Sequence, residues 1–400
     1  MTDAPNARRG FIKQCGIISA GLVAGTAAKA QDAASATPPA AHDEIPYYGE
    51  HQAGITTPAQ KHIYFLVADL HSDDREKIKE MFQLWTAYSL RLTRGEHVKP
   101  YSKNLYIPPT DTGEADSLNP HNLTLTFGVS PSFFSKLGID NLRPPELAEL
   151  PHFPRDQLQP QYTGGDICIQ ACADDPQVAF HAVRNLVRGA RLNLTMRWSQ
   201  AGFNSYDSAD ETPRNLFAFK DGTANLSGEN LDKVVWVEKD GWLKGGSYLV
   251  ARRIKMFLET WDRTSLGEQH NTFGRYRDSG APMGQHEEHE PINLGLLDDK
   301  GEPAMPTTSH ARIAHATGHN ILRRSFSYAS GIDDKGQFDT GLLFISYQNS
   351  PQPFIDIQNA FGNVDKMNEY ITHIGSGLFA CFPGVKDEND YLGKALLAQI

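Results

Sequence analysis

The sequence predicts an α+β fold built from two ferredoxin-like halves, each with the element order β-α-β-β-α-β and an antiparallel sheet. Strand-type and helix-type periodicity alternate in this order twice along the chain. The 400 residues also exceed the size at which a single hydrophobic core stops growing, about 250–300 residues. Apolar residues make up 40% and charged residues 22% of the chain, which excludes a disordered or collagen-like protein.

Residues 59–203 form the first predicted half. Its predicted elements are strand His62–Leu70, helix Asp74–Leu92, strands Leu123–Val129 and Asp166–Ala173, helix Pro176–Val187 and strand Leu194–Trp198. The first helix has its apolar residues three and four positions apart, which indicates one buried face. Cys168 and Cys172 lie on the same face of one strand about 13 Å apart, so we expect two core thiols and no disulfide between them.

Residues 204–400 form the second predicted half, in which the same order is less regular. The predicted strands are Ser247–Met256, Ser325–Ala329, Gly341–Gln348 and Leu378–Phe382, and the predicted helical pieces are Glu259–Ser265, Phe354–Phe361 and Val364–Ile371. Long polar segments connect the elements of both halves: residues 98–121, 138–164, 204–245 and 267–322. Because connections of this length are usually functional, we expect the chemistry to lie in them.

The first 30 residues are predicted to be a twin-arginine signal peptide. Arg8-Arg9 precedes an apolar run, and Ala28-Lys29-Ala30 is typical of a cleavage site before Gln31. The apolar run is shorter than the ~20 residues that span a bilayer, so we expect export to the periplasm without stable membrane insertion. Residues 31–58 are rich in Ala, Pro, Asp and Ser and are predicted to be a flexible lead-in.

The net charge of −10 argues against nucleic acid as a partner, because an acidic surface repels phosphates. The sequence also contains no Gly-x-Ser-x-Gly segment, and its Gly-rich segments lack the Gly-Lys-Ser/Thr ending of a phosphate loop. A serine hydrolase and a P-loop nucleotidase are therefore not supported.

One candidate for chemistry is the segment from Phe217 to Asn225, in which Asp221 precedes Gly222 and Thr223. This pattern is typical of a tight turn beside a ligand, but the spacing alone favours a plain Asx turn capped by Asp221. A second candidate is the segment that contains His310, His315 and His319, which are either metal or haem ligands or ordinary histidines.

Two further segments have charged side chains close together. Arg323 and Arg324 begin a predicted strand, where they either clamp an anion or form a solvated charge pair. The run from Gln285 to Glu290 contains His286 and His289, but it lacks the His-Glu-x-x-His spacing of a zinc site. We interpret this run as an acidic surface loop.

Taken together, these segments resemble the dye-decolourising peroxidases, and specifically the exported branch described as deferrochelatase/peroxidase. The resemblance runs from about residue 46 to the C-terminus. It rests on the twin-arginine signal and on a set of short motifs that occur in the family's order: Phe219-Lys220-Asp221-Gly222-Thr223-Ala224-Asn225, Trp261-Asp262-Arg263-Thr264, Leu266-Gly267-Glu268-Gln269, Ser309-His310, Leu322-Arg323-Arg324, Gly341-Leu342-Leu343-Phe344 and Phe382-Pro383-Gly384-Val385-Lys386-Asp387. The family fold, two ferredoxin-like halves around a haem pocket, agrees with the periodicity.

The resemblance implies a heme b cofactor and a role for each matching residue. His310 corresponds to the proximal ligand of the haem iron, Asp221 to the distal acid–base residue and Arg323 to the distal arginine. The resemblance places two further segments against the haem: Gly222, Thr223 and Ala224 along its edge, and His315, Ala316 and Thr317 beside a propionate. A carboxylate is expected behind the proximal ligand, and the candidates are Asp387, Glu388 and Asp390.

Two positions depart from the family pattern. Ala218 stands where the Gly-x-x-Asp-Gly motif begins with glycine, so the turn is strained if that position requires a positive φ. His315-Ala316-Thr317 stands where members of the branch tend to have Asn-Pro-Arg, which removes the arginine beside a propionate. We consider Arg312 as its substitute.

The predicted function is a haem peroxidase that reduces hydrogen peroxide and oxidises dyes or phenolic electron donors. Two alternatives stay open at this point: a periplasmic deferrochelatase that removes iron from haem, and a non-catalytic haem or metal carrier for an iron-uptake system. The Asp-Gly-Thr turn together with Arg323 favours the enzyme, because a carrier needs no distal acid–base groups. The sequence leaves a homodimer and the physiological reductant open.

Overall fold

The computed structural model describes residues 44–208 and 211–400. All of these residues belong to one compact unit. The predicted signal peptide, and most of the predicted lead-in, lie outside the described residues. No helix in the described part is long and apolar enough to cross a bilayer.

The first half follows its predicted order. Its elements are β1 (His62–Leu70), α1 (Arg75–Leu92), β2 (Thr124–Val129), α2 (Pro131–Lys136), β3 (Ile167–Ala173), α3 (Pro176–Ala190) and β4 (Leu194–Phe203). Helix α1 begins where Asp74 accepts a hydrogen bond from the backbone N–H of Lys77 at 3.3 Å. Helix α3 begins at Pro176, after Asp175 caps two backbone N–H groups. Both capping residues are aspartates, a residue type that is favoured at the start of a helix.

The second half contains more and shorter helices than predicted. Its elements are α4 (Glu229–Val235), β5 (Ser247–Met256), α5 (Leu258–Trp261), α6 (Leu266–Phe273), α7 (His310–Ala316), β6 (Leu322–Arg323), β7 (Phe326–Ile332), β8 (Phe338–Gln348), α8 (Gln352–Phe361), β9 (Ile371–Cys381) and α9 (Lys394–Leu397). The prediction of a helix over Val364–Ile371 is wrong. Only a 3₁₀ turn, Lys366–Glu369, forms there, and the last strand begins at Ile371.

In the described residues the strands form one sheet of nine, not a separate sheet in each half as we expected. Within the first half the strand order is β4-β1-β3-β2, and within the second half it is β9-β5-β8-β7. Strand β2 pairs with β9, β4 pairs with β7, and the β5–β8 pairing closes the sheet into a barrel. Each half thus covers the open edges of the other, which leaves fewer unpaired backbone groups than two free sheets would.

Two large cores fill the spaces on either side of the sheet. One lies inside the barrel and joins residues of both halves, such as Phe65, Leu249 and Tyr347. The other packs α1 and α3 onto the outer face of the first half, around Trp85 and Phe127. The cysteines of the described residues, Cys168, Cys172 and Cys381, are buried free thiols, so the expectation of core thiols is confirmed.

Candidate active site

A cavity of about 310 Å³ lies on the outer face of the second half of the sheet. Two of the long polar segments, residues 204–245 and 267–322, line it, as do α8 and the side chains of β5, β8 and β9 that face outward. Segments 98–121 and 138–164 contribute no lining residue. Apolar side chains form much of the wall: Phe217, Ile254, Met256, Phe273, Ile292, Leu342, Phe344, Phe354, Ile357, Phe361, Met367 and Ile371.

The turn that positions Asp221 is organised by Asn215, a residue that the sequence did not single out. The Asn215 Oδ1 atom accepts hydrogen bonds from the backbone N–H groups of Phe217 and Phe219, at 3.0 and 3.3 Å. The Asx-type capping residue is therefore Asn215 and not Asp221. Within this turn Ala218 has φ 67°, so the position that normally holds glycine does require a left-handed conformation.

The Asp221 carboxylate is held between two side chains. Its Oδ1 atom accepts a hydrogen bond of 2.5 Å from the Arg323 guanidinium, and its Oδ2 atom accepts a longer one of 3.3 Å from Asn215. Asn225 fixes the backbone of Arg323 in both directions, with its Nδ2 donating to the carbonyl at 2.7 Å and its Oδ1 accepting from the N–H at 2.9 Å. The turn and β6 are thereby locked together, and Asp221 and Arg323 line one end of the cavity.

His310, the first residue of α7, also lines the cavity. Its Nδ1 atom lies 2.7 Å from Asp365 Oδ2, and its ring stacks on Phe361 with centroids 4.3 Å apart. Asp365 is only 4% exposed, and its other oxygen accepts the backbone N–H of Met367 at 2.9 Å. The carboxylate therefore fixes the imidazole with Nδ1–H as donor, which leaves Nε2 as a free ligand atom.

The expectation that Asp387, Glu388 or Asp390 stands behind His310 is wrong, because Asp365 does. Asp387 and Asp390 instead accept backbone N–H groups in their own exposed segment after β9. Asp365 lies 55 residues from His310 in the chain. In the sequence, Asp365 was recognisable only as a residue that could cap a 3₁₀ turn. The wrong prediction of a helix over Val364–Ile371 hid this role.

The residues that follow His310 divide between the cavity and the outside. His315 and His319 line the cavity, and the Nε2 atom of His319 lies 3.0 Å from Asp356. Ala316 and Thr317 end the helix and are not among the lining residues. Arg312 does not line the cavity either, since it donates to the carbonyls of Leu294 and Met305, at 3.3 and 3.1 Å.

Glu288 corrects our interpretation of the segment 285–290 as a surface loop. Its side chain is 14% exposed, pairs with Lys220 and accepts a hydrogen bond of 3.1 Å from Thr223. Burial raises the pKa of Glu288, but the hydrogen bonds from Lys220, Thr212 and Thr223 outweigh this and lower it. The segment therefore ties the Asp221 turn in place.

A second charged group lies in the wall formed by β5 and β9. Arg252, 1% exposed, pairs with the buried Asp156 and donates to Ser376 Oγ at 3.1 Å. His373, 6% exposed, lies 3.8 Å from the same Asp156 carboxylate. Burial, together with the charges of Arg252 and His310, lowers the pKa of His373 well below its usual range. Both side chains line the cavity, so its wall contains the charged Arg252 and the polar His373 away from Asp221 as well.

Comparison with known proteins finds similarity over nearly the whole chain. The family model "Dyp-type peroxidase, N-terminal" matches residues 52–204, and "Dyp-type peroxidase, C-terminal" matches residues 212–386. A deferrochelatase of Shigella flexneri is 37% identical over 410 residues, covering 98% of this chain and 96% of the relative. The crystal structure of a DyP-type peroxidase from Streptomyces coelicolor is similar with a TM-score of 0.83 and 35% identity, over 88% of this chain and 97% of that one. The corresponding enzyme of Cellulomonas bogoriensis has a TM-score of 0.82 and 35% identity, over 88% and 98%.

Proposed function

The chain belongs to the Dyp-type peroxidase family and is a haem peroxidase, and we propose that His310 holds the haem iron while Asp221 and Arg323 act on peroxide. The observation that carries these roles is that two separately fixed groups, His310–Asp365 and Asp221–Arg323, line one apolar-walled cavity. Haem-dependent reduction of peroxide would need a residue that holds the iron and groups that transfer a proton to peroxide.

The residues present fit a haem by the chemistry of their donor set. A histidine that donates its Nδ1–H to a carboxylate or carbonyl can offer Nε2 to a haem iron, and the contact with Asp365 orients His310 in this way. None of the cysteines in the described residues lines the cavity, so thioether attachment has no candidate there. We assign the cofactor as heme b, which the family resemblance implies and which needs no such attachment.

We assign the same surroundings to the rest of the macrocycle as the family resemblance implies. Gly222, Thr223 and Ala224 line the cavity and would contact the haem edge. His315 lines it as well and would lie near a propionate, with Ala316 and Thr317 contributing backbone at the end of α7.

Asp221 is the proposed acid–base residue. Bound haem supplies the iron at which hydrogen peroxide is reduced, and the protein must move one proton between the two peroxide oxygens. Oδ1 of Asp221 is engaged by Arg323, whereas Oδ2 has only the longer contact with Asn215. Oδ2 is therefore the atom that accepts the proton and returns it to the departing oxygen.

Arg323 has two proposed functions. Its ion pair holds the Asp221 carboxylate in one orientation, and its fixed positive charge stabilises negative charge that develops on the leaving oxygen. Because Asn225 holds the Arg323 backbone from both sides, this charge does not have to be reorganised during the reaction. An organic electron donor, such as a dye or phenol, completes the reaction.

A second proposed function is the release of iron from haem with the porphyrin left intact, which the name of the deferrochelatase relatives suggests. We also propose periplasmic export by the twin-arginine signal, association with an iron-uptake system, and a division into ferredoxin-like halves at residues 59–203 and 204–400. The strand orders given above support the last interpretation.

The roles are tested with three variants, of which Asp221→Asn also keeps the volume of the side chain. His310→Ala should abolish or shift the haem absorbance band, while His315→Ala, on the same helix, should leave the band in place. Asp221→Asn should keep haem binding but lower peroxide-dependent dye oxidation by about 10²–10⁴-fold. A normal band in His310→Ala would move the ligand to another histidine. Full activity in Asp221→Asn would remove its acid–base role.

Iron release is tested separately by incubating the protein with haem and measuring porphyrin fluorescence, because iron quenches that fluorescence. Accumulation of free protoporphyrin by the wild type supports the second function. Haem that is bound and oxidises dye without any such accumulation would leave only the peroxidase.

A further inference from the structure

Four side chains of full positive charge line the cavity: Lys220, Arg252, Arg275 and Arg323. Three of them form an ion pair with a carboxylate. The pairs are Lys220–Glu288, Arg252–Asp156 and Arg323–Asp221. Arg275 has no carboxylate oxygen within 4.0 Å among residues 44–208 and 211–400. The nearby carboxylate of Glu288 is already engaged by Lys220 and Thr223.

The Arg275 guanidinium is nevertheless held in place. Its Nη1 atom donates to the carbonyls of Gly280 and Glu288, at 2.7 and 3.1 Å. Both contacts are made by Nη1 alone. Nε and Nη2, which form the side-on edge of a guanidinium, have no acceptor in the described part of the chain. Two parallel N–H groups on one edge match the two oxygens of a carboxylate.

The surroundings of Arg275 disfavour an unpaired charge. Burial lowers its pKa, the neighbouring Arg323 lowers it further, and Glu288 only partly offsets both. A cation that is withdrawn from water and lies beside a second cation is costly unless an anion joins it. The cavity is therefore electrostatically incomplete at this point.

We propose that Arg275 binds a propionate of the haem through its Nε and Nη2 atoms. The proposal rests on the proposed function, since it requires haem in this cavity. Haem itself brings two carboxylates into the cavity, and an apolar wall accommodates the rest of the macrocycle. Arg312, the substitute that the sequence suggested, is committed to backbone carbonyls outside the cavity.

The test compares haem with haem dimethyl ester, in which both propionates are esterified and uncharged. Affinities for the two compounds are measured by absorbance titration for the wild type, Arg275→Gln and Arg277→Gln. Arg277 is the matched control, because it lies two residues away with an exposed side chain and does not line the cavity. We expect the preference for haem over its ester to fall by about ten- to a hundredfold in Arg275→Gln, and to stay unchanged in Arg277→Gln.

Arg275→Lys keeps the charge but loses the planar two-pronged edge, so its preference should lie between those of the wild type and Arg275→Gln. It also provides the comparison if the glutamine variant does not fold.

An unchanged preference in either Arg275 variant overturns the proposal, even if both affinities fall together, because the effect is then structural. A rise in KM for a sulfonated dye but not for a neutral phenol, with unchanged preference, would assign Arg275 to an anionic electron donor instead. Failure of the wild type to take up haem would contradict the proposed function itself, and it is distinguished from the other outcomes by the wild-type titration.

Discussion

The two halves of the barrel use corresponding strand orders but cover their outer faces differently. In the first half, α1 with 18 residues and α3 with 15 residues lie across the sheet and seal it. In the second half, the connections are broken into α5, α6, α7 and α8, with 4, 8, 7 and 10 residues. Short helices joined by long loops leave the sheet partly uncovered, and the cavity occupies that space.

The residues on the two faces differ accordingly. The face under α1 and α3 is apolar, with side chains such as Leu66, Phe127 and Ile169. The face toward the cavity includes Arg252 and His373 among its apolar residues. A sealed core excludes such groups unless they are paired, whereas a cofactor cavity uses them. The outer face of the first half is therefore a sealed core, whereas the outer face of the second half supplies the site.

The largest expected effect is on stability, from the same substitution made in each half. Phe127→Ala removes a fully buried ring that stacks on Trp85 with centroids 5.4 Å apart, and it should lower the free energy of unfolding by about 3–5 kcal/mol. Phe344→Ala removes a ring that already borders the cavity, so it creates little new empty volume and should cost less than half as much. Urea unfolding without added haem measures both. Equal losses would show that the second half is as tightly packed as the first.

His–carboxylate pairs occur in both halves, and His310–Asp365 is a pair of which both members line the cavity. Asp365→Asn weakens the acceptor behind His310 and should lower haem affinity or peroxidase activity by about 10–100-fold. In the first half, Glu114 lies 2.9 Å from the Nδ1 atom of His181. Glu114→Gln is the matched control and should leave haem titration and dye oxidation unchanged. Similar losses in both variants would mean that the cavity depends on the whole fold and not on its own pair.

His373 should make the cavity-facing sheet sensitive to acid. Burial, with the charges of Arg252 and His310, lowers its pKa, so the folded protein keeps it neutral where the unfolded chain binds a proton. Its contribution to stability is thus complete above about pH 6.5 and is lost as the pH falls, by up to about 1.4 kcal/mol per pH unit. His373→Gln does not titrate, and its free energy of unfolding should fall less between pH 7 and 5.

Asp156 contributes with the opposite sign, because burial raises its pKa despite Arg252. The contribution of Asp156 is present in both the wild type and His373→Gln, so it largely cancels when their free energies of unfolding are compared. Parallel unfolding energies of wild type and His373→Gln across this pH range would show that the imidazole does not stay neutral in the folded state.

Local sequence patterns predicted elements well where the fold follows local rules. Strands β1 and β5 match the predicted bounds, and α1 begins one residue after its predicted start. Helix α6 was missed because it offers little apolar periodicity and exposes half of Leu266. The closure of the barrel was also missed, because pairing between β2 and β9 joins residues more than 250 positions apart and leaves no local signal.

The residues of the site also divide into those that the sequence identified and those that only the structure identified. His310, Asp221 and Arg323 stood out because each lies in a recognisable motif, and all three line the cavity. Asn215, Asp365 and Arg275 did not stand out. Their importance depends on contacts that only the folded chain makes, such as the pairing of Asp365 with a histidine 55 residues away.

The smallest expected effect concerns strain in the turn beside Asp221. Ala218 has φ 67°, a conformation that costs an L-residue roughly 1–2 kcal/mol and glycine almost nothing. Ala218→Gly should therefore raise the free energy of unfolding by about 0.5–1 kcal/mol, after the greater freedom of glycine in the unfolded chain is subtracted. Ala148→Gly, in an exposed loop of the first half without a positive φ, supplies only the entropic loss and should destabilise slightly.

A gain for Ala218→Gly with unchanged haem titration would show that the strain belongs to the turn and is not needed to place the carboxylate of Asp221. A loss equal to that of Ala148→Gly would contradict the strain.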